Sequence, residues 1–304
     1  MWPGPRSADR LRHEVRGLLT ALVSVGLLAG VASQVDLAGA AARIREVRPG
    51  PFLLAVALGP VQVTLSAVRW RMVSEKLDAP LPGRTAVAEY ALSTLLNLVL
   101  PGGVGGDVLR TWRTHRKLEV PGKIAIQATL IERGIGQSIL IAITLGGLVA
   151  WPVLLPGLAR PGGVLPVVAV LAVVLAGIVA APTPLSAQIR RALRGMVLPH
   201  FLLSSAIVGS YIAGLALCAV ALSAPVGAVV FTVFPLILLA MSLPISVGGW
   251  GLRETAAVAL LPMLGWSGEG ALAVAGLYGL STLIGALPGA VVLLRPVAAW
   301  ERST

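Results

Sequence analysis

Seven ionisable side chains stand within or beside long apolar runs of this sequence: Glu89, Asp107, Arg110, Glu132, Arg133, Arg253 and Glu254. An unpaired charge at the centre of a bilayer costs about 2.5–3.5 kcal/mol on insertion scales. Acids and arginines in near balance can then do one of two things. They can lock helices together as buried ion pairs, or they can hold a polar ligand on an interior path.

Four of the seven accompany a stretch that occurs twice. Leu100-Pro101-Gly102-Gly103-Val104-Gly105-Gly106-Asp107-Val108-Leu109-Arg110 and Leu243-Pro244-Ile245-Ser246-Val247-Gly248-Gly249-Trp250-Gly251-Leu252-Arg253 agree at seven of eleven positions. Each copy breaks an apolar run at Pro and Gly and restarts as an apolar run carrying an Arg, as a helix does when it ends, turns and begins again. The restarted half-helix offers free N–H groups at Gly106 and Gly249 and the positive end of its dipole, which suits an anion and phosphate in particular. Arg110 and Arg253 follow one turn on, where a guanidinium can grip two phosphate oxygens. Asp107 is placed to cap the first half-helix, and Glu254 stands beside Arg253. A plainer reading of Gly105-Gly106 and Gly248-Gly249 is close helix packing. The glycines fit neither the phosphate-loop pattern nor the dinucleotide fingerprint. Gly26/Gly30 and Gly285/Gly289 have small-xxx-small spacing and read as packing positions.

Other chemistry finds little support. His13, His115 and His200 are separated by whole apolar runs, with no metal-ligand spacing and no Ser or Cys nucleophile nearby. The single Cys218 allows no disulfide framework and reads as a small residue packed between helices. No enzyme activity, cofactor or metal is expected of the chain.

The elements that must position these residues follow from composition. The chain is 56% hydrophobic and 12% charged, with a mean hydropathy of +0.88, whereas soluble domains carry roughly 25% charged residues. The net charge of +11 would suit nucleic acid, but the basic residues fall between apolar runs and read as topology signals. Six full spans are expected at 18–35, 51–68, 124–150, 164–181, 201–222 and 271–294, with broken elements at 85–116 and 227–265. The segment 36–50 reads as a loop, as do the stretch marked by Arg69, Arg71, Lys76 and Arg84 and the segment 182–200. The transmembrane domain covers 18–295, between polar tails at 1–17 and 296–304. The leading apolar run is long for a cleaved signal and reads as a first span.

If both broken elements leave and return on one side, and the N-terminus is cytoplasmic, 18 Lys/Arg lie inside against 4 outside. That is the asymmetry of the positive-inside rule. It puts both termini in the cytoplasm of a cell-membrane protein. Three spans then separate the broken elements, so the repeats are inverted, the arrangement in which a midplane site forms at the repeat interface. The fold class is all-α, a polytopic bundle with two re-entrant broken helices. Thr129, Arg133 and Gln137 recur at i, i+4, i+8 and give the 124–150 span one polar side, so Glu132 and Arg133 should face the broken helices. Glu89, Asp107, Glu132 and Glu254 against Arg110, Arg133 and Arg253 leave a formal −1.

Three motifs in order, Asn97-x3-Pro101-Gly-Gly-x-Gly-Gly-Asp107-x2-Arg110, the pair Glu132-Arg133, and Pro244-Ile-Ser-x-Gly-Gly-x-Gly-x-Arg253-Glu254, resemble the lysylphosphatidylglycerol synthase transmembrane family over about 15–295. This is the flippase-like region of bacterial multiple peptide resistance factors, also found as stand-alone proteins. The resemblance implies a bundle with two re-entrant helices that moves lipid between leaflets. It implies a substrate site at Asn97, Gly105, Gly106, Asp107, Arg110, Glu132, Arg133, Gly248, Gly249, Arg253 and Glu254. The two-domain relatives carry a soluble aminoacyl transferase domain; 304 residues leave no length for one, so lysyl-lipid synthesis is not expected here. An anionic-headgroup lipid, either an aminoacyl-phospholipid or a polyprenyl-phosphate-linked glycan, is the expected substrate. A non-transporting partner of a lipid-modifying enzyme and a small-solute or ion-coupled transporter are the alternatives. A lipid-modifying enzyme or a second copy is the expected protein partner, and nucleic acid is not.

Overall fold

The computed structural model describes residues 7–292; residues 1–6 and the expected tail at 296–304 lie outside the described residues. The described chain is helical throughout, without a strand. Among the described residues, four helices are long and apolar enough to cross a bilayer: α3 (Pro49–Lys76), α6 (Gly122–Leu154), α9 (Val197–Ala221), and α12 (Gly268–Ala286) with its 3-10 continuation to Val292. The number rises to six if each of two bent pairs is one span. These are α1 (Ser7–Ala32) with α2 (Leu37–Arg45), bent by 91°, and α7 (Val164–Ala180) with α8 (Pro184–Leu193), bent by 93°. Expected loops at 36–50 and 182–200 thus hold short helices. Asp36 caps α2 by accepting the Ala38 N–H, and Thr183 with Ser186 forms a capping box for α8 around Pro184. Leu185 and Ile189 of α8 pack against Val73, Leu77, Ala128 and Ile131, which explains why it folds back on the bundle.

The two repeated stretches are helical hairpins. α4 (Gly83–Val99) stops at Leu100, whose backbone is extended (φ −91°, ψ 146°), as expected for a residue held out of the helical region by the following proline. The chain turns through Gly102 and Gly103, both at positive φ, and restarts as α5 (Gly105–Lys117). In the second hairpin α10 (Val229–Met241) leads into a longer turn, and α11 (Leu252–Leu260) starts only after Gly251. The second half-helix therefore begins three residues beyond the expected Gly249. Gly249 (φ 82°) and Gly251 (φ 86°) lie in the turn, where an L side chain would be strained. α6, α7 and α9 lie between the hairpins; counting each as one crossing gives the odd number that inverts one repeat relative to the other.

The glycine pairs act largely through close approach. A Cβ on Gly106 would lie 2.0 Å from the Ser93 carbonyl oxygen, so α5 folds back directly on α4. A Cβ on Gly248 would lie 2.4 Å from the Leu98 carbonyl oxygen, and one on Gly103 would be 4.0 Å from the Gly248 nitrogen. The tips of the two hairpins thus meet. Gly59 of α3 and Gly285 of α12 cross at a hypothetical Cβ contact of 2.7 Å, and Gly289 abuts Ala91, as the spacing suggested for that pair. Gly26 and Gly30 depart from expectation, because nothing lies within 4 Å of a Cβ at either one.

Two outcomes test this architecture. In a Cys218→Ala background, single cysteines in 118–121 and in 223–227 should react with impermeant reagents from opposite sides of the membrane; labelling of both from outside contradicts inverted hairpins. Gly106→Ala and Gly248→Ala should each cost about 1–3 kcal/mol of overpacking, lowering the melting temperature of the detergent-purified protein, while Gly26→Ala should leave it unchanged.

Candidate functional site

The polar side chains converge on the first hairpin. Glu89, Ser93 and Asn97 recur at i, i+4, i+8 and form one face of α4, and α5 is bonded along that face. Arg113 Nε donates to Glu89 Oε2 at 2.7 Å, Ser93 Oγ to Asp107 Oδ1 at 3.0 Å, and the Gly106 N–H to Asn97 Oδ1 at 2.8 Å. The expected cap is therefore reassigned. Asn97, not Asp107, satisfies the start of α5, so the Gly106 N–H is not free for a ligand. In the second hairpin the Gly251 N–H donates to Glu254 Oε2 at 2.8 Å, and the Val247 N–H to Ser24 Oγ at 2.7 Å. Neither helix start is the bare anion nest the sequence suggested.

Asp107 instead holds arginines. Arg110 Nη2 donates to its Oδ1 at 3.0 Å, and the Arg133 guanidinium pairs with its Oδ2. Glu132, at 0% exposure, accepts from Arg69 Nε at 3.0 Å and Nη2 at 2.5 Å, from the Tyr90 hydroxyl at 3.1 Å, and from Arg110 Nη2 at 3.5 Å. The Arg110 guanidinium lies over two neighbouring aromatic rings, its carbon 4.4 Å from the centroids of both Trp70 and Tyr90. Its Nε and Nη1 have no protein acceptor, and neither do the nearby Trp70 Nε1 and the buried Asn97 Nδ2.

Arg69 was assigned to a loop on sequence grounds and is the principal correction. It is buried near the end of α3, which runs eight residues past the expected span end at 68. Its Nη1 also donates to Ser204 of α9 at 3.1 Å, and its guanidinium lies on the backbone at Gly136. Without Arg69 and Arg110, both buried in the bundle, the inside tally is 16 against 4 and the charge asymmetry survives. The balance at the site also changes. Among the described ion pairs, four arginines (Arg69, Arg110, Arg113, Arg133) face three carboxylates (Glu89, Asp107, Glu132), a formal +1 at the first hairpin in place of the expected −1 overall. Glu132 needed more cation than its neighbour in sequence could offer, and that was the signal for Arg69.

The polar side of α6 links the hairpins. Thr129 shares a hydrogen bond with Thr111 of α5 at 3.0 Å, Arg133 reaches Asp107, and Gln137 Nε2 donates to Ser242 at the end of α10 at 3.0 Å. Arg133 thus faces the first hairpin as expected, though its side chain is 49% exposed. Arg253 and Glu254 do not join this cluster as found. They pair with each other, and Arg253 lies over Trp250 at 4.6 Å and against Gly279 of α12. The repeats are alike in sequence and unlike in chemistry: the second arginine pairs with its own neighbour, the first with carboxylates of both α5 and α6.

Removing one partner of a buried pair strands the other charge. Arg69→Met should destabilise the purified protein by about 3–5 kcal/mol, and Arg69→Met with Glu132→Gln by clearly less, in thermal unfolding followed by tryptophan fluorescence. Equal losses would show that the two do not act as a pair.

Comparison with curated proteins gave no match. A family model does match residues 17–289, nearly the whole chain, including both hairpins, the Glu132–Arg133 pair and the packing glycines of α12. The chain therefore belongs to the family described as the lysylphosphatidylglycerol synthase TM region, as a multi-pass integral membrane protein.

Proposed function

We propose that this protein moves a lipid with an anionic headgroup between the two leaflets of a cell membrane, with the first hairpin as its headgroup site. One observation carries the reading. Arg110 is buried against Trp70 and Tyr90 with Nε and Nη1 unused, next to an unused Trp70 Nε1, in a cluster whose described ion pairs carry a formal charge of +1. Buried donors left over in a positive cluster need an acceptor, and a phosphate oxygen supplies one while offsetting the surplus charge. Asp107 and Glu89 give the site acceptors for a cationic or hydroxylated remainder of the headgroup, as in an aminoacyl-phospholipid or a polyprenyl-phosphate-linked glycan. The family description names a synthase of an aminoacylated phospholipid, which fits that substrate class.

In this reading the inverted hairpins, touching at Gly103 and Gly248, expose the site to each leaflet in turn. In this reading Arg110 holds the phosphate, while Arg253, paired with Glu254, anchors α11 on α12. Both termini lie in the cytoplasm, as the positive-inside asymmetry favours. The chain works as a transporter rather than an enzyme. A second reading, a membrane partner of a lipid-modifying enzyme, draws on the word synthase in the family description.

Purified protein in vesicles containing fluorescent phosphatidylglycerol, aminoacyl-phosphatidylglycerol or a polyprenyl phosphate separates the two readings through leaflet accessibility to a membrane-impermeant quencher. The parent should equilibrate at least one of these lipids. Arg110→Lys should slow it by about tenfold or more, because a point charge replaces neither the planar fork nor the stacking on two rings. A parent protein no faster than empty vesicles with all three lipids would overturn transport and favour the partner role.

A further inference from the structure

Among the arginines of the first-hairpin cluster, four differ sharply in access. The side chains of Arg69, Arg110 and Arg113 are 6%, 0% and 13% exposed, whereas that of Arg133 is 49% exposed. Arg133 is nevertheless deep. It lies eleven residues from the start of α6 at Gly122, about 16 Å along the axis at 1.5 Å per residue, and so inside the span rather than at its end. A half-exposed guanidinium at that depth opens either to acyl chains or to a crevice between helices, and in both cases its open side lacks a counter-charge.

Its one ion-pair partner is shared. Asp107 Oδ1 already accepts from Ser93 Oγ at 3.0 Å and from Arg110 Nη2 at 3.0 Å, while Oδ2 pairs with Arg133. Asp107 would keep two donors if Arg133 left it, so the Asp107–Arg133 contact can open without stranding a carboxylate. Above and below Arg133 on the same side of α6, Thr129 and Gln137 are tied to Thr111 and Ser242, one on each hairpin. That polar strip runs between the hairpins, and Arg133 is its exposed middle.

From this geometry we infer that Arg133 is the entry point for the headgroup: the lipid phosphate arrives sideways from the bilayer at the α5–α6 edge and takes the place of Asp107 on Arg133. The inference rests on the proposed function and adds to it an exchangeable contact ahead of Arg110. Asp107 is the resting counter-ion that the phosphate displaces, and it returns when the lipid leaves. No bond is made or broken covalently.

The measurement uses the full chain in detergent, titrated with mixed micelles in which brominated phosphatidylglycerol progressively replaces phosphatidylcholine. The saturable part of the tryptophan quenching is the readout. Asp107→Asn keeps the size of the side chain and its link to Ser93 but weakens its hold on Arg133, so the half-saturating fraction of phosphatidylglycerol should fall about fivefold, the scale of one partly exposed ion pair. Arg133→Gln should raise that fraction by a similar factor. In Asp107→Asn with Arg133→Gln the gain should disappear. A gain that persists in the double variant puts the phosphate on another arginine and overturns the exchange. If Asp107→Asn does not fold, Arg133→Gln decides alone: an unchanged half-saturation rejects the entry role. Absence of any saturable preference for phosphatidylglycerol over phosphatidylcholine in the parent is a different failure, since it removes the anionic headgroup site itself.

Discussion

A carboxylate cut off from water at membrane depth must be given cations, and Glu132 is that carboxylate. Arg69 from α3 and Arg110 from α5 both point at it, with the Tyr90 hydroxyl from α4. These bonds join α3, both arms of the first hairpin and α6 at one buried point. The same demand passes outward, because Arg110 also holds Asp107, Asp107 holds Arg133, and Arg69 reaches Ser204 on α9. Pairing in a low-dielectric interior offsets desolvation only when geometry is good and lone pairs are used. Glu132 meets that condition; Arg110, with two nitrogens unused, does not.

That difference separates the structural part of the network from the part available to a ligand. Arg69 and Glu132 tie helices together and leave little for a substrate, which is the ion-pair lock that the sequence left open as an alternative. Arg110 and Arg133 belong to the same network but keep unused donors or an open side. The ion-pair lock is therefore realised at Arg69 and Glu132, and the proposed headgroup site rests on Arg110 and Arg133. The hairpin supplies the means. Because Gly106 permits α5 to lie directly on the backbone at Ser93, Asp107 and Arg110 enter the cluster at the depth of Tyr90 and Glu132.

The second repeat shows how the same motif can be paired differently. A longer turn delays α11 to Leu252, so Arg253 falls in the first turn of its helix, whereas Arg110 is the sixth residue of α5. Its neighbour Glu254 serves two tasks, bonding the Gly251 N–H and Arg253. The places of Tyr90, Ser93 and Asn97 are taken on α10 by Val233, Leu236 and Ala240, in an apolar run that offers no polar side chain. Arg253 therefore packs on Trp250 and Gly279 and closes the fold there.

The sequence by itself determined that the chain is a membrane bundle, because the apolar runs and the distribution of arginines follow from the cost of charge in hydrocarbon. It determined the two breaks, because Pro101 and the glycines constrain the backbone locally. It also carried the side of α6 formed by Thr129, Arg133 and Gln137, a matter of helical period, and by the same rule the stripe Glu89, Ser93, Asn97 that was open to the same reading. Only the tertiary structure decided which charges meet. Arg69 and Glu132 are 63 residues apart, and no local rule relates a residue near the end of one span to the beginning of another. Nor could periodicity tell that Asn97 rather than Asp107 caps α5, or that Arg110 pairs with carboxylates of α5 and α6 while Arg253 pairs with its own neighbour. Pairing at a distance depends on how helices cross, and those crossings are set by contacts such as Gly106 on Ser93 and Gly59 on Gly285, which exist only once the chain has folded.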